Sequence, residues 1–377
     1  MKFQFATAGQ IIFGNGSIDK IPAQVAEIGK RPFVITGSRP ERHESVLSGL
    51  KSKSYALARE PTVPLLKEAV TQAREAGADC IIGLGGGSVI DLAKAVAALL
   101  ANKGDLFDYL EVIGKGRPLE KPALPSIAIP TTSGTGAEVT RNAVLGSPEH
   151  QVKVSMRHSS MLPRVALVDP VLTHAVPPDV TANSGLDALT QLIEVFLTRK
   201  ASPLTDGLVR EALPQGAGGL PIAFRDGSNA EARRDMSLSS LFSGLGLANA
   251  GLGAVHGFAG PLGGMVDIPH GVACAILLGP CMKHNANAAL TSSNSSLLNR
   301  FAELAQMLTG RSGGPIEVID WAIQISEEVG IGKLSDYGFA ETEIPALVNK
   351  AKNSSSMKGN PVNFSDDTLT MILKEAM

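Results

Sequence analysis

A chain of 377 residues with 44% apolar side chains is long enough for two domains, each with its own core. Lys and Arg number 34 against 36 Asp and Glu, leaving a net charge of −2 and no basic patch, which argues against nucleic acid as a partner. Three cysteines, Cys80, Cys274 and Cys281, sit in apolar runs; so sparse and odd a set excludes a disulfide framework and fits a reduced, cytoplasmic setting, and the opening MKFQFATAGQ lacks the apolar stretch of a signal peptide.

The first half alternates. RPFVITG (Arg31–Gly37) is a short β-rich run, followed by a polar helix over Glu41 to Lys51 and a strand SYALA (Ser54–Ala58). Pro64 to Ala76 reads as a helix, with Leu65, Ala69, Ala73 and Ala76 at three- and four-residue spacing. DCIIGL (Asp79–Leu84) is a buried strand, VIDLAKAVAALL (Val89–Leu100) a helix, and SIAIP and RVALVDP supply two more strands. Continuous apolar strands alternating with helices predict an α/β domain, a parallel sheet with helices on both faces.

After DPVLTHAVPPD (Asp169–Asp179) strand signals nearly vanish and helical stripes run to the C-terminus, so an all-α domain is expected there. Pro177, Pro178 and Asp179 read as a helix start, and the expected division is 1–175 and 176–377. Met236 to Val266 carries no Asp, Glu, Lys or Arg and is long enough to span a bilayer. Its eight glycines, four serines, Asn249, His256 and Pro261 break it into short pieces, so it is read as buried helices and no membrane partner is expected.

Two loops carry a nucleotide signal. GLGGGSVIDLAK (Gly83–Lys94) joins a strand to a helix, where Gly85, Gly86, Gly87 and Ser88 let a backbone approach a phosphate and the helix N-terminus offers free N–H groups. Asp91 is read in the first turn of that helix, where a carboxylate suits the dipole. A tight turn without a ligand is the plain alternative, but three glycines and a serine exceed what a turn needs. PTTSGTGAEVT (Pro130–Thr140) follows another strand; it suits a second wall for a nucleotide, or is an ordinary Ser/Thr/Gly loop.

A metal signal lies in the second half. In SGLDALTQLIE (Ser184–Glu194), Leu186, Leu189, Ile193 and Phe196 form the apolar stripe, while Asp187 and Gln191 share another face. HGFAGPLGGMVDIPH starts and stops on a histidine, in a chain with only seven. His256 and His270 cannot share a helix face across Gly260, Pro261, Gly263 and Gly264, yet they converge if two helices meet across that loop. A carboxylate and two imidazoles suit Fe²⁺ or Zn²⁺; a pair of satisfied core histidines is the alternative.

Taken together, IIFGNGS, GLGGGSVIDLAK, IPTTSGTGAEVT, LVDPVLT, SGLDALTQLIE and HGFAGPLGGMVDIPHGVACAILLGP resemble the iron-containing (group III) alcohol dehydrogenases, in family order and over most of the chain. The resemblance implies an α/β nucleotide-binding domain followed by an all-helical one, and an NAD(P)-dependent exchange of hydride with an alcohol, aldehyde or ketone. By position it implies cofactor roles for the Gly85–Ser88 loop, Thr131, Thr132 and Thr135; Asp91 and Lys153 are further cofactor-binding candidates. It implies catalytic and metal roles for Asp187, His256 and His270, with Gln191 at the fourth ligand position.

Two departures from the family pattern stand out. The usual second ligand is histidine, here Gln191, whose carbonyl oxygen is the weaker donor for Fe²⁺ or Zn²⁺. A further active-site histidine of the family is here Gly260. NAD-preferring relatives often carry Asp after the first strand; TGSRPER puts Gly37 there, and Ser38 and Arg39 suit a 2′-phosphate, so NADP is expected over NAD. No side chain announces itself as a general base. The alternatives are a metal-independent oxo-acid reductase resembling the maleylacetate reductases, a lyase of the dehydroquinate-synthase type, and a nucleotide-binding protein without activity. A homodimer or larger homo-oligomer is expected.

Overall fold

Apolar residues alternate between the two sides of each central strand, and both sides are covered. Phe33, Ile35 and Ile81 join one core, while Val34, Ile82 and Leu84 join another on the opposite face. The computed structural model describes residues 2–50, 52–150 and 152–377. In chain order the α/β part runs β1 (Gln10–Phe13), α1 (Ile21–Ile28), β2 (Pro32–Gly37), α2 (Glu44–Leu50), β3 (Lys53–Leu57), α3 (Val63–Glu75), β4 (Cys80–Gly85) and α4 (Gly87–Ala101). It closes with β5 (Ser126–Pro130), an antiparallel hairpin of β6 (Asn142–Ser147) and β7 (Val152–Arg157), and β8 (Val165–Val168).

Six strands form a parallel sheet in the order β1-β8-β5-β4-β2-β3. From β2 the chain moves outward to β3; from β4 it moves the other way, to β5. Neighbours β2 and β4 therefore flank the point where the winding reverses, the place at whose carboxyl ends open α/β sheets generally bind ligands. The pairing of Thr36 with Leu84 sets Gly37 and Gly85 side by side at that edge.

Local chemistry explains three differences from the sequence reading. The polar helix expected over Glu41 to Lys51 is a 3₁₀ turn at Pro40–His43 followed by α2; Lys51 lies outside the described residues. Helix α4 begins at Gly87, two residues earlier than expected, so Asp91 lies beyond the first turn and does not serve the dipole there. Its carboxylate instead accepts from the Val144 N–H at 2.9 Å and pairs with Lys94 Nζ at 2.8 Å, fastening α4 to the hairpin. Strands β1, β6 and β7 were not anticipated: β1 and β6 are short with little alternation, whereas β7, VKVSMR, does alternate apolar and polar residues and was overlooked.

Lys94 is buried, with its ammonium satisfied by Asp91, the Ala137 carbonyl at 3.0 Å and Thr140 Oγ1 at 2.9 Å. A buried ammonium persists only with such partners.

The helical part comprises α5 (Pro178–Leu197), α6 (Pro203–Arg225), α7 (Ala230–Ala250), α8 (Ala254–Leu262), α9 (His270–Thr291), α10 (Ser295–Thr309), α11 (Pro315–Glu328), α12 (Ile344–Ala351) and α13 (Asp366–Glu375). Pro178 opens α5, where its fixed φ and missing N–H suit the first helical position, with Pro177 extended before it. The uncharged stretch is interior: Ser237 and Ser239 return their hydroxyls to carbonyls one turn back, at 2.8 Å each. Among the described residues no single helix is long and apolar enough to cross a membrane, and α7 and α8 meet at a bend of 98°.

By contacts the chain divides into one unit of residues 6–132 and 136–174 and another of 2–5, 133–135 and 175–377. This differs from a division at 175 mainly in the loop 133–135. Gly134 lies so close to Ser184 that a Cβ on it would come within 2.7 Å of the Ser184 Cβ, which ties that loop to the helical unit.

Candidate functional site

In the α/β unit, the loop between β4 and α4 is shaped by close approach. A Cβ on Gly85 would meet Val89 Cγ2 at 2.6 Å, and one on Gly83 would meet Ala93 Cβ at 2.9 Å, so these glycines let strand and helix pack. Gly86, Gly87 and Ser88 are partly open to solvent between buried neighbours. No side chain caps α4, and helix geometry leaves its first N–H groups without partners inside the helix. A Cβ on Gly86 would stand 3.3 Å from Thr132 Oγ1, so the Thr131–Thr132 turn borders the glycine loop. Backbone donors at a helix N-terminus are an arrangement that suits an anion.

Beyond β2, a Cβ on Gly37 would meet nothing within 4 Å, and Ser38 and Arg39 are exposed. Asp91 is engaged with Lys94 and Val144, so it acts as a structural tie at this site. Lys153, on β7, pairs with Glu60 at 2.8 Å. Thr135 lies in the segment that belongs with the helical unit.

In the helical unit, three helices converge. Asp187, Gln191 and Glu194 occupy one buried stripe of α5 at spacings of four and three. His256 comes from the first turn of α8 and His270 opens α9. Across the glycine-rich loop the two imidazole centroids stand 5.4 Å apart. Asp187 Oδ1 is 3.1 Å from His256 Nε2 and 3.9 Å from His270 Nε2. The sequence candidates Asp187, Gln191, His256 and His270 therefore do come together.

Glu194 and Cys274 were missed. Glu194 Oε2 accepts from His256 Nδ1 at 2.6 Å, while Oε1 accepts from the Val255 N–H at 2.7 Å. One carboxylate thus caps α8 and fixes the imidazole with Nε2 toward Asp187. Cys274, one turn after His270, places Sγ 3.6 Å from His256 Nε2, 3.8 Å from His270 Nε2 and 3.9 Å from Asp187 Oδ1. The signals were present, as a glutamate seven residues after Asp187 and a cysteine four after His270, but both lie in runs that read as apolar helix.

Gln191 donates from Nε2 to Asp187 Oδ1 at 3.1 Å, and its Oε1 is buried without a partner. Gly260, one turn after His256 on α8, has open space where a side chain would begin.

The electrostatics form one coupled set. Burial disfavours the Asp187 carboxylate, but the His256 hydrogen bond and the nearby imidazoles hold its pKa below the ordinary value. Burial likewise disfavours charge on His256, yet Cys274, Asp187 and Glu194 raise it well above the usual range; His270 is raised by Cys274 and Asp187. The Cys274 thiol is lowered against its own burial by the two imidazoles. Burial instead pushes Cys80 up to about 12 and Cys281 well above the usual thiol range. Cys274 alone of the three sits where a thiolate is favoured.

These donors fit a divalent ion. Their atoms lie within 4.8 Å of one another, with ligand types suited to Fe²⁺ or Zn²⁺. The orientation of His256 by a buried carboxylate is the usual outer support of a metal-bound imidazole.

Comparison with known proteins agrees with this geometry. The family profile "Iron-containing alcohol dehydrogenase" matches residues 8–170, and "Fe-containing alcohol dehydrogenase family, C-terminal" matches residues 181–377. The chain is 37% identical over 355 residues to long-chain-alcohol dehydrogenase 1 of Geobacillus thermodenitrificans, covering 90% of this chain and 87% of that one. It is 32% identical over 366 residues to lactaldehyde reductase of Escherichia coli, covering 93% of each. The solved alcohol dehydrogenase from Oenococcus oeni superposes with a TM-score of 0.91 at 30% identity, over the whole of both chains.

Proposed function

The chain belongs to the iron-containing alcohol dehydrogenase family, an NAD(P)-dependent oxidoreductase line, and within it we propose a carbonyl reductase or alcohol dehydrogenase that prefers NADP and holds its divalent metal through Asp187, His256 and His270. The observation that carries this reading is the approach of His256 Nε2 to Asp187 Oδ1 with Glu194 behind the ring. When bound, the ion supplies Lewis acidity toward a substrate oxygen and the nicotinamide supplies or accepts the hydride.

The protein's own groups bind and orient. Asp187 contributes a carboxylate whose pKa the His256 hydrogen bond and the nearby imidazoles hold below the ordinary value against its burial. Glu194 fixes the His256 tautomer, and Gln191 steadies the Asp187 carboxylate through its amide N–H. The first N–H groups of α4, with Gly86 and Thr132 beside them, receive the pyrophosphate. Exposed Ser38 and Arg39, with no acidic residue at Gly37, receive the 2′-phosphate of NADP.

The substrate is a small-molecule alcohol, aldehyde or ketone. The test follows oxidation of NADPH and NADH by purified protein over a panel of aldehydes, before and after chelation and with Zn²⁺ or Fe²⁺ restored. Metal-dependent turnover with NADPH ahead of NADH supports the reading. Turnover unaffected by chelation favours the metal-independent reductase instead, and absence of turnover across the panel removes the reading.

A further inference from the structure

We propose that Cys274 Sγ is a metal ligand in this chain, so that the ion is held by an Asp187–His256–His270–Cys274 set in place of one completed by Gln191. The inference rests on the reading that the Asp187 cluster is the metal site.

Distances carry the argument. Zn–S bonds of about 2.3 Å and Zn–N or Zn–O bonds of about 2.0–2.2 Å put the edges of a tetrahedral site at about 3.6 Å for sulfur to nitrogen or oxygen and about 3.3 Å otherwise. Sγ lies 3.6, 3.8 and 3.9 Å from His256 Nε2, His270 Nε2 and Asp187 Oδ1. His256 Nε2 is 3.1 Å from Asp187 Oδ1, and His270 Nε2 is 3.9 Å from it. Each separation is within about 0.6 Å of the corresponding edge. The donors also come from a rigid frame, since Cys274 and His270 share a face of α9 at a spacing of four.

Charge and shape agree. An Asp187 carboxylate and a Cys274 thiolate together balance a divalent cation in a buried setting, where an unbalanced charge is costly. Gly271 lets α9 approach α5: a Cβ there would stand 1.7 Å from the Asn183 carbonyl oxygen. Gln191 is the rival fourth donor. Its amide nitrogen, however, faces Asp187 Oδ1 at 3.1 Å, as a group that orients a ligand does.

The consequence is metal choice. Thiolate is a soft ligand that favours Zn²⁺ over the harder Fe²⁺ relative to an all-nitrogen-and-oxygen set. Zn²⁺ already outranks Fe²⁺ at most sites, so the change in preference on removing the sulfur is the informative quantity, rather than the preference itself.

The test loads chelator-treated full-length protein with Co²⁺ and records its absorption spectrum. The wild type is expected to bind one equivalent and show a sulfur-to-cobalt charge-transfer band in the near ultraviolet. Cys274→Ser, close in shape, is expected to lose that band while keeping the visible cobalt bands, and Cys274→Asn to lower the Zn²⁺-to-Fe²⁺ affinity ratio by about 10-fold or more. His256→Ala is expected to lose Co²⁺ binding altogether. Co²⁺ bound by the wild type without the charge-transfer band, or with a band that survives in Cys274→Ser, overturns the ligand assignment and leaves the metal site standing. No Co²⁺ binding by the wild type overturns both.

Discussion

Glu194 stands behind His256: its Oε2 accepts from the ring Nδ1 at 2.6 Å, and its Oε1 accepts from the Val255 N–H at 2.7 Å. Both residues are buried, so neither interaction is shared with solvent. The pair locks the tautomer that turns Nε2 toward Asp187. Glu194→Gln should therefore weaken metal binding by about 10- to 100-fold, the usual cost of losing an outer partner of a ligating histidine. Metal titration by calorimetry reads this directly. Unchanged affinity would mean the orientation of His256 does not depend on the carboxylate.

Arg39 should govern cofactor choice. A charge-assisted bond to a phosphate contributes about 1.5–3 kcal/mol, or roughly 10- to 100-fold in affinity. Arg39→Ala is expected to raise the Kd for NADPH by about 10-fold or more and to leave NADH nearly unchanged. Equal affinities of the wild type for the two cofactors would count against the assignment of Ser38 and Arg39.

Two glycines near the metal cluster should behave oppositely. A Cβ on Gly260 meets nothing within 4 Å, so Gly260→Ala should stabilise α8 by about 0.5–1 kcal/mol through reduced backbone entropy. A Cβ on Gly271 would fall 1.7 Å from the Asn183 carbonyl oxygen. Gly271→Ala should cost about 3 kcal/mol or more and displace His270 and Cys274 from α5, with loss of metal. Denaturant midpoints and metal content of the two variants distinguish them; similar behaviour would mean that the contact between α9 and α5 is less close than described.

Glu138 gives the α/β unit a pH signature. Burial raises its pKa from 4.5 to about 7, with a backbone hydrogen bond and Lys94 opposing only in part. The folded protein keeps the proton where the unfolded chain has lost it. Stability from this group is therefore fully present below about pH 4.5 and is lost as pH rises through about 7. Thermal midpoints measured across this range should fall less steeply in Glu138→Gln than in the wild type. Parallel curves would show that Glu138 does not titrate in that window.

Much of this was legible in the sequence because it is periodic or depends on glycine. Val34, Ile82 and Leu84 lie in unbroken apolar runs, and a sheet covered on both faces needs such runs. The glycines at 85–87 announced a strand–helix junction where backbone must come close. What was not legible depends on contacts distant in sequence. Asp91 answers to Val144, and Glu194 to His256, at sequence separations of 53 and 62. Cys274 reads as one more apolar residue of α9 until His256 and Asp187 are brought against it. Strand β6 was missed because Val144 and Leu145 are flanked by small and polar residues that mute the alternation, while β7 carries a legible one, Val152, Val154 and Met156 alternating with Lys153, Ser155 and Arg157, that was overlooked.

The central claim is that Asp187, His256 and His270 hold a divalent ion on which an NAD(P)-dependent hydride transfer relies. The most direct measurement is NADPH oxidation by purified protein with an aldehyde substrate, before chelation, after it, and after Zn²⁺ or Fe²⁺ is restored, with His256→Ala alongside. The account predicts that chelation abolishes turnover, that metal restores it, and that His256→Ala is inactive throughout. Turnover that survives chelation and persists in His256→Ala would contradict it.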